Sequence, residues 1–224
     1  MKLVVVSAGL SVPSSTRLLA DRLAESTVRR VPDTDVEVIE LRDLAVEIAH
    51  NFVTKFPGPN LEKALESVAE ADALIVVSPV FSASYSGLFK SFFDVIDKDA
   101  LTGKPVLIAA TGGTGRHSLV LDHALRPLFG YLRAVVVPTG VYAASEDFGA
   151  EGLAERVDRA AGELAALLAP RPAAEVPPQD RGDGPAQGRA PRTVGSVEDR
   201  PLGTGSLKDR VVPFEQQLAA LKVR

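Results

Sequence analysis

Three short stretches of the 224-residue chain carry side chains suited to a small ligand that is anionic at one end and aromatic at the other. The first is Ser7-Ala-Gly-Leu-Ser-Val-Pro-Ser-Ser-Thr16, with Gly9, hydroxyls at Ser11, Ser14, Ser15 and Thr16, and no acidic residue. A helix starting here presents unpaired N–H groups and a partial positive charge, which suit a phosphate, and the hydroxyls add neutral donors. A helix cap needs one hydroxyl, from Ser14 or Ser15, so this loop holds more than capping requires. No Gly-Lys-Ser/Thr closes it as in a P-loop, and GxGxxG is absent, so the phosphate it suits is a mononucleotide's.

The second stretch is Ser78-Pro-Val-Phe-Ser-Ala-Ser-Tyr-Ser-Gly-Leu-Phe-Lys90. Pro79 predicts a turn directly after a strand. Pro79, Val80, Phe81 and Ser82 then place backbone beside aromatic surface, the wall that a flat ring with polar edges needs. Phe81 and Tyr85 read equally well as core or interface residues, and Lys90 as solvated or subunit-facing. The third stretch is Ala110-Thr-Gly-Gly-Thr-Gly-Arg-His-Ser118, whose glycines permit close approach of backbone to a ligand. Thr111, Gly112 and Gly113 follow a strand directly. His117 either caps the next helix or touches ligand, and a plain surface loop is the alternative for the whole stretch.

Other chemistry is missing. There is no Cys, and the three His (His50, His117, His123) lack metal-ligand spacing, so no metal is expected. His123 reads as a structural mid-helix residue, and His50 as part of a polar stretch. No Gly-x-Ser-x-Gly elbow or paired-carboxylate signature occurs. The lack of acid–base machinery fits chemistry that resides in a cofactor, and no catalytic side chain is singled out.

The elements that position these loops alternate in type. Residues 3–6, 73–77 and 106–110 are continuous apolar runs, the pattern of strands buried on both faces. Residues 36–41 alternate at period two, as a half-exposed edge strand does, and 134–137 form a fifth strand. Helical spacing runs through 15–30, 61–71, 87–96, 118–131 and 152–168. Strict alternation of strand and helix implies a parallel sheet with helices on both faces. Five strands fit the flavodoxin-like α/β three-layer sandwich with strand order 2-1-3-4-5, in which ligands bind at the carboxyl ends of the strands near the switch in strand order. The three loops lie at those ends.

Composition sets the remaining bounds. Hydrophobic residues make up 46% and charged residues 24% of the chain, ordinary values for a globular protein. The net charge of −4 without a basic stripe argues against a nucleic-acid partner. No stretch approaches 18 apolar residues, which argues against a membrane span and makes a cytoplasmic location the default. The domain is expected over 1–169. Residues 170–213 hold 8 of the 16 Pro and 6 of the 18 Gly and read as an extended tail. In 214–224, Phe214, Leu218 and Leu221 share one face of a short helix.

At the three loops the sequence resembles the NAD(P)H-dependent FMN reductase family. The first is similar to that family's Ser-Gly-Ser-x-x-x-x-Ser-x-Asn/Thr phosphate loop, with Ser7, Ser14 and Thr16 matching, and Ala8 and Gly9 standing for Gly and Ser. Ser11 stands where many members carry Arg. The second resembles Pro-x-Tyr-x-x-Ser-x-x-Gly-x-Leu-Lys, with Phe81 for Tyr and Phe89 for Leu. The third, Ala-Thr-Gly-Gly-x-x-x-His, with Leu125-Arg126-Pro127 following, is similar to reductases that supply two-component flavin monooxygenases. The resemblance covers about residues 1–168. It implies FMN, NADPH or NADH, hydride transfer to flavin N5, and backbone N–H groups of Thr111–Gly113 near the flavin's polar edge. It also implies a homodimer or homotetramer and a partner monooxygenase, with FMN as an exchangeable substrate since the Arg and a Ser are missing. An FMN-bound quinone or azo reductase, and a flavodoxin-type electron carrier or redox-sensing module, are the alternatives. Arg17 and Arg116 are candidates for a nicotinamide 2′-phosphate, or are solvated.

Overall fold

The computed structural model describes residues 1–169. The expected tail and the short helix at 214–224 lie outside the described residues. The chain runs β1 (Lys2–Ser7), α1 (Ser15–Val28), β2 (Asp35–Glu40), α2 (Ala45–Thr54), α3 (Pro59–Glu70), β3 (Ala73–Phe81), β4 (Ser84–Tyr85), α4 (Gly87–Val95), β5 (Pro105–Gly112), α5 (Arg126–Tyr131), β6 (Val135–Val136), β7 (Val141–Ala144) and α6 (Glu151–Leu168).

The strands form one sheet in the order β2-β1-β3-β5-β6, parallel throughout that path. This is the expected 2-1-3-4-5 order, but the strand count is seven instead of five. The two additions have separate causes. β4 folds back antiparallel on the end of β3. The fifth position is divided between β6, beside Pro105 and Val106, and β7, beside Ala109 to Gly112. Pro138 lies in the gap and has no N–H to give a ladder. Arg126 satisfies the carbonyls freed there, donating from Nη1 to Val137 O at 3.1 Å and from Nη2 to Pro138 O at 2.9 Å.

The period-two geometry of a strand separates two cores. Val4 and Val6 point into one, Leu3 and Val5 into the other. The first contains Phe89, Phe92, Phe93 and Phe129, with Phe89–Phe93 and Phe93–Phe129 centroids 4.8 and 5.0 Å apart. The α4 phenylalanines are thus core residues. The second core is aliphatic, built by Leu19 and Leu23 of α1 against Leu153, Ala160 and Leu164 of α6.

Two helices differ from the sequence reading. The stretch around His50 is helical: α2 buries Ile48 and Asn51 while leaving Val46 and Val53 exposed. Its outward face is apolar, so burial periodicity could not reveal it. The expected helix over 118–131 is instead a 3₁₀ turn at Gly115–His117, a π-turn at Leu121–Leu125, and then α5. Pro127 has no N–H for the carbonyl of His123, and the register changes at that point. His123 is exposed on this turn and not a core residue.

Candidate functional site

Register brings the three loops together. Ser7 pairs with Val77, Ser78 with Ala110, and Pro79 with Thr111. Just past β1, Ala8 N donates to Val77 O at 2.9 Å. The carboxyl ends of β1, β3 and β5 therefore lie at the same end of the sheet, with β1 stopping at the level of Val77 and the other two running on.

In the first loop, Ser14 is the N-cap of α1, its hydroxyl accepting from Arg17 N at 3.2 Å. Gly9 lies beneath it: a Cβ there would fall 2.0 Å from Ser14 Oγ. Ser11 and Ser15 are exposed, and the first turn of α1 holds no acidic side chain. The N–H groups of Ser15 and Thr16, at the helix start, have no acceptor within the helix. Thr16 differs from the expectation of a free donor. It is 3% exposed, and its Oγ1 lies 2.8 Å from Oγ1 of Thr111, also 3% exposed. This buried bond ties the first loop to the third. Ser7 Oγ, at the end of β1, is buried without a partner.

The second loop is a continuation of β3. Pro79 and Val80 extend the strand, and the turn falls at Ser82 and Ala83, with φ of 50° and 65°. Pro79 stands beyond the end of β1, where β5 is the one parallel neighbour of β3, a setting that proline tolerates. Phe81 is 49% exposed near the tip, paired with Ser84 of β4. Tyr85 turns inward, its ring 5.8 Å from that of Phe89. Lys90 pairs with Asp94 on the exposed side of α4.

In the third loop, Thr111 is buried, while Gly113 and His117 are exposed. A Cβ at Gly113 would meet nothing within 4 Å, whereas one at Gly112 would fall 2.1 Å from Tyr142 Oη. The Tyr142 hydroxyl donates to Thr114 O at 2.7 Å. Burial, then the charges of Asp147 and Glu146, push the Tyr142 phenol above its ordinary pKa, so it remains a donor.

Three residues that the sequence reading did not assign help to hold these loops. Ser78 Oγ accepts from Ser86 N at 2.9 Å and donates to Pro79 O at 2.9 Å, joining the start of the second loop to the start of α4. Tyr142 holds the third loop. Arg42 donates from Nη1 to Ser11 O at 3.1 Å and pairs through Nη2 with Glu40 at 2.7 Å. Ser78 has a sequence signal, a hydroxyl ending an apolar run as Ser7 does; the other two have none, because their partners are remote. Arg17 is engaged by Asp21 at 2.7 Å and Glu40 at 2.5 Å, while Arg116 is exposed in the third loop.

A groove of about 300 Å³ runs along the first loop past Ser11, Ser14, Arg17 and Arg42. A cavity of about 440 Å³ adjoins the third loop, lined by Gly115, Ser118, Tyr142 and Arg156. A larger hollow of about 600 Å³ lies along α1 and β2, lined by Asp21, Val28, Val36 and Val38. Among the described residues no cluster of His, Asp and Glu could hold a metal, and no helix is long and apolar enough to cross a membrane.

Known proteins place this arrangement. A family described as NADPH-dependent FMN reductase matches residues 1–149. An FMN reductase (NADPH) of Pseudomonas aeruginosa is 43% identical over 175 residues, 76% of this chain and 94% of that protein. The crystal structure of an oxidoreductase from Corynebacterium diphtheriae is 51% identical with a TM-score of 0.72, covering 74% of this chain and 95% of that one. A flavodoxin from the Archaea, 17% identical with a TM-score of 0.53, shares the fold over 75% of this chain and all of its own. The fold is flavodoxin-like, and the chain belongs to the NADPH-dependent FMN reductase family.

Proposed function

We propose that the protein is an NAD(P)H-dependent FMN reductase whose flavin is a substrate that comes and goes. The observation that carries this reading is the juxtaposition of a hydroxyl-rich helix start with a bare glycine loop, joined by the Thr16–Thr111 bond. The chain's residues fit the two ends of FMN. Ser11 and Ser15 are exposed and uncharged, the start of α1 carries no carboxylate in its first turn, and Ser7 has a hydroxyl without a partner nearby in sequence. The exposed hydroxyls and the carboxylate-free helix start suit a phosphate, and the unpartnered Ser7 Oγ is buried at the foot of the same loop. Gly113 offers backbone without a side chain, and half-exposed Phe81 offers an aromatic wall.

FMN, when bound, would supply the redox chemistry as the acceptor of hydride from NADPH or NADH. The chain's part is to fix the two ring systems at roughly 3–3.5 Å and to exclude competing chemistry, for which no side-chain base is required. Thr111, Gly112 and Gly113 take the flavin's polar edge, and Pro79, Val80, Phe81 and Ser82 line its face, with His117 at the rim. A neutral Ser11 in place of a guanidinium weakens the hold on the phosphate. That favours release of reduced FMN, the product a flavin-dependent monooxygenase consumes. Self-association as a dimer or tetramer belongs to the same proposal.

The direct test is absorbance at the nicotinamide band on mixing protein, free FMN and NADPH or NADH. Multiple turnovers of free FMN are expected. Turnover with a quinone or azo dye but none with free FMN would overturn the reading, as would nicotinamide nucleotides that leave the flavin oxidised. Light scattering reads the oligomeric state, and a monomer would remove that part.

A further inference from the structure

Tyr142 belongs to β7, yet its hydroxyl serves the loop after β5. It is 7% exposed, and its ring is part of the aromatic core. The hydroxyl passes over the α-carbon of Gly112 so closely that a Cβ there would lie 2.1 Å from it, and it donates to Thr114 O at 2.7 Å. Thr114 is the N-cap of the Gly115–His117 turn and has no side-chain capping bond of its own. Gly113 beside it meets no protein atom within 4 Å of a would-be Cβ. The segment between Gly112 and Gly115 thus combines high backbone freedom with few contacts of its own. Ligand binding must remove that freedom unless the protein has already done so.

We propose that Tyr142 is a positioning residue for flavin, its hydroxyl latching the Thr114 carbonyl across the bare α-carbon of Gly112 and so fixing the Gly113 backbone before FMN arrives. The proposal rests on the reading that Gly113 lies against the flavin. It gives Gly112 a role apart from ligand contact: the residue is bare on the side that Tyr142 crosses. Burial and two neighbouring carboxylates keep the phenol protonated, so the latch persists at ordinary pH.

Three variants of the full chain test this, read by flavin-fluorescence titration and by steady-state kinetics with free FMN. Tyr142→Phe keeps the ring in the core and removes only the hydroxyl. The expected result is a Kd and KM for FMN raised roughly tenfold, with kcat at saturating FMN and the melting temperature nearly unchanged. Gly112→Ala pushes the hydroxyl off its carbonyl, so it weakens FMN in the wild-type background and adds little once Tyr142 is Phe. Gly113→Val tests the underlying reading, since apart from its chain neighbours no protein atom lies within 4 Å of the new Cβ and lost affinity reports contact with flavin. If Gly113→Val weakens FMN while Tyr142→Phe does not, the latch is overturned and the site stands. If Gly113→Val leaves FMN affinity unchanged, the reading of the site fails and the latch falls with it.

Discussion

The first and third loops leave neighbouring buried strands and open toward the same end of the sheet, yet they are secured in opposite ways. The first is held mainly by its own residues: Ser14 caps the helix that begins at Ser15, accepting from Arg17 N three positions on, and Gly9 makes room beneath it. The third is held from 28 residues downstream, by Tyr142 on Thr114. A local anchor is built with the helix that follows, whereas a remote one forms only when β7 joins the sheet. The two loops meet at Thr16 and Thr111.

Substitutions at each anchor would break or sharpen this contrast. The largest effect is expected at the meeting point. Thr16→Val leaves the buried Thr111 hydroxyl without its partner and should cost about 1–3 kcal/mol in a urea melt. Lost FMN affinity at undiminished stability would instead make Thr16 a ligand donor. For the self-held loop, Ser14→Ala should cost about 1 kcal/mol by removing the cap. Gly9→Ala drives the Ser14 hydroxyl out of the same place, so the double variant should be no worse than the more damaging single one; additive losses would separate the two residues. The second loop has its own side-chain anchor in Ser78 and, unlike the first and third, two non-glycine residues at positive φ. Ala83→Gly relieves a φ of 65° and should raise stability by up to ~1 kcal/mol in the same melt.

The smallest effect is at a helix start of a third kind, capped by a carboxylate. Glu47 accepts from Leu61 N at 2.7 Å and Asn60 Nδ2 at 2.6 Å, and these bonds, the Leu61 backbone first, hold its carboxyl below the ordinary range. Because the folded pKa is lowered, the stabilisation is present above the unfolded value and is lost as pH falls through the folded one. Melting curves of wild type and Glu47→Gln should differ at neutral pH and converge on acidification. A gap that persists in acid would refute the role of the charge.

Much of this organisation is legible in the sequence because it is local. The continuous apolar runs of β1, β3 and β5 and the hydroxyls before α1 announce strands buried on both faces and a helix start. The alternation of elements gives the parallel sheet, and the strand order follows from the flavodoxin-like type that five such strands fit. Contacts that depend on tertiary neighbours are silent. Nothing around Tyr142 announces Thr114, and nothing in Leu-Arg-Asp announces that Arg42 reaches Ser11. Pro79 misleads for the same reason: it signals a turn, but the end of β1 at Ser7 makes room for it in a strand. α2 is missed because its exposed Val46 and Val53 invert the usual pattern.

The division of the fifth strand also bears on how molecules of this protein meet at high concentration. A long margin of free N–H and C=O groups recruits a strand from another chain and so seeds fibrous growth. At β6 that margin is two residues long, and Pro138 follows with no hydrogen to offer. Arg126 already occupies the oxygens beyond it. The interruption therefore acts as a guard on the side of the sheet where β6 has no outer neighbour among the described residues. Replacing Pro138 by a β-branched residue and Arg126 by Ala would lengthen the margin and expose it together.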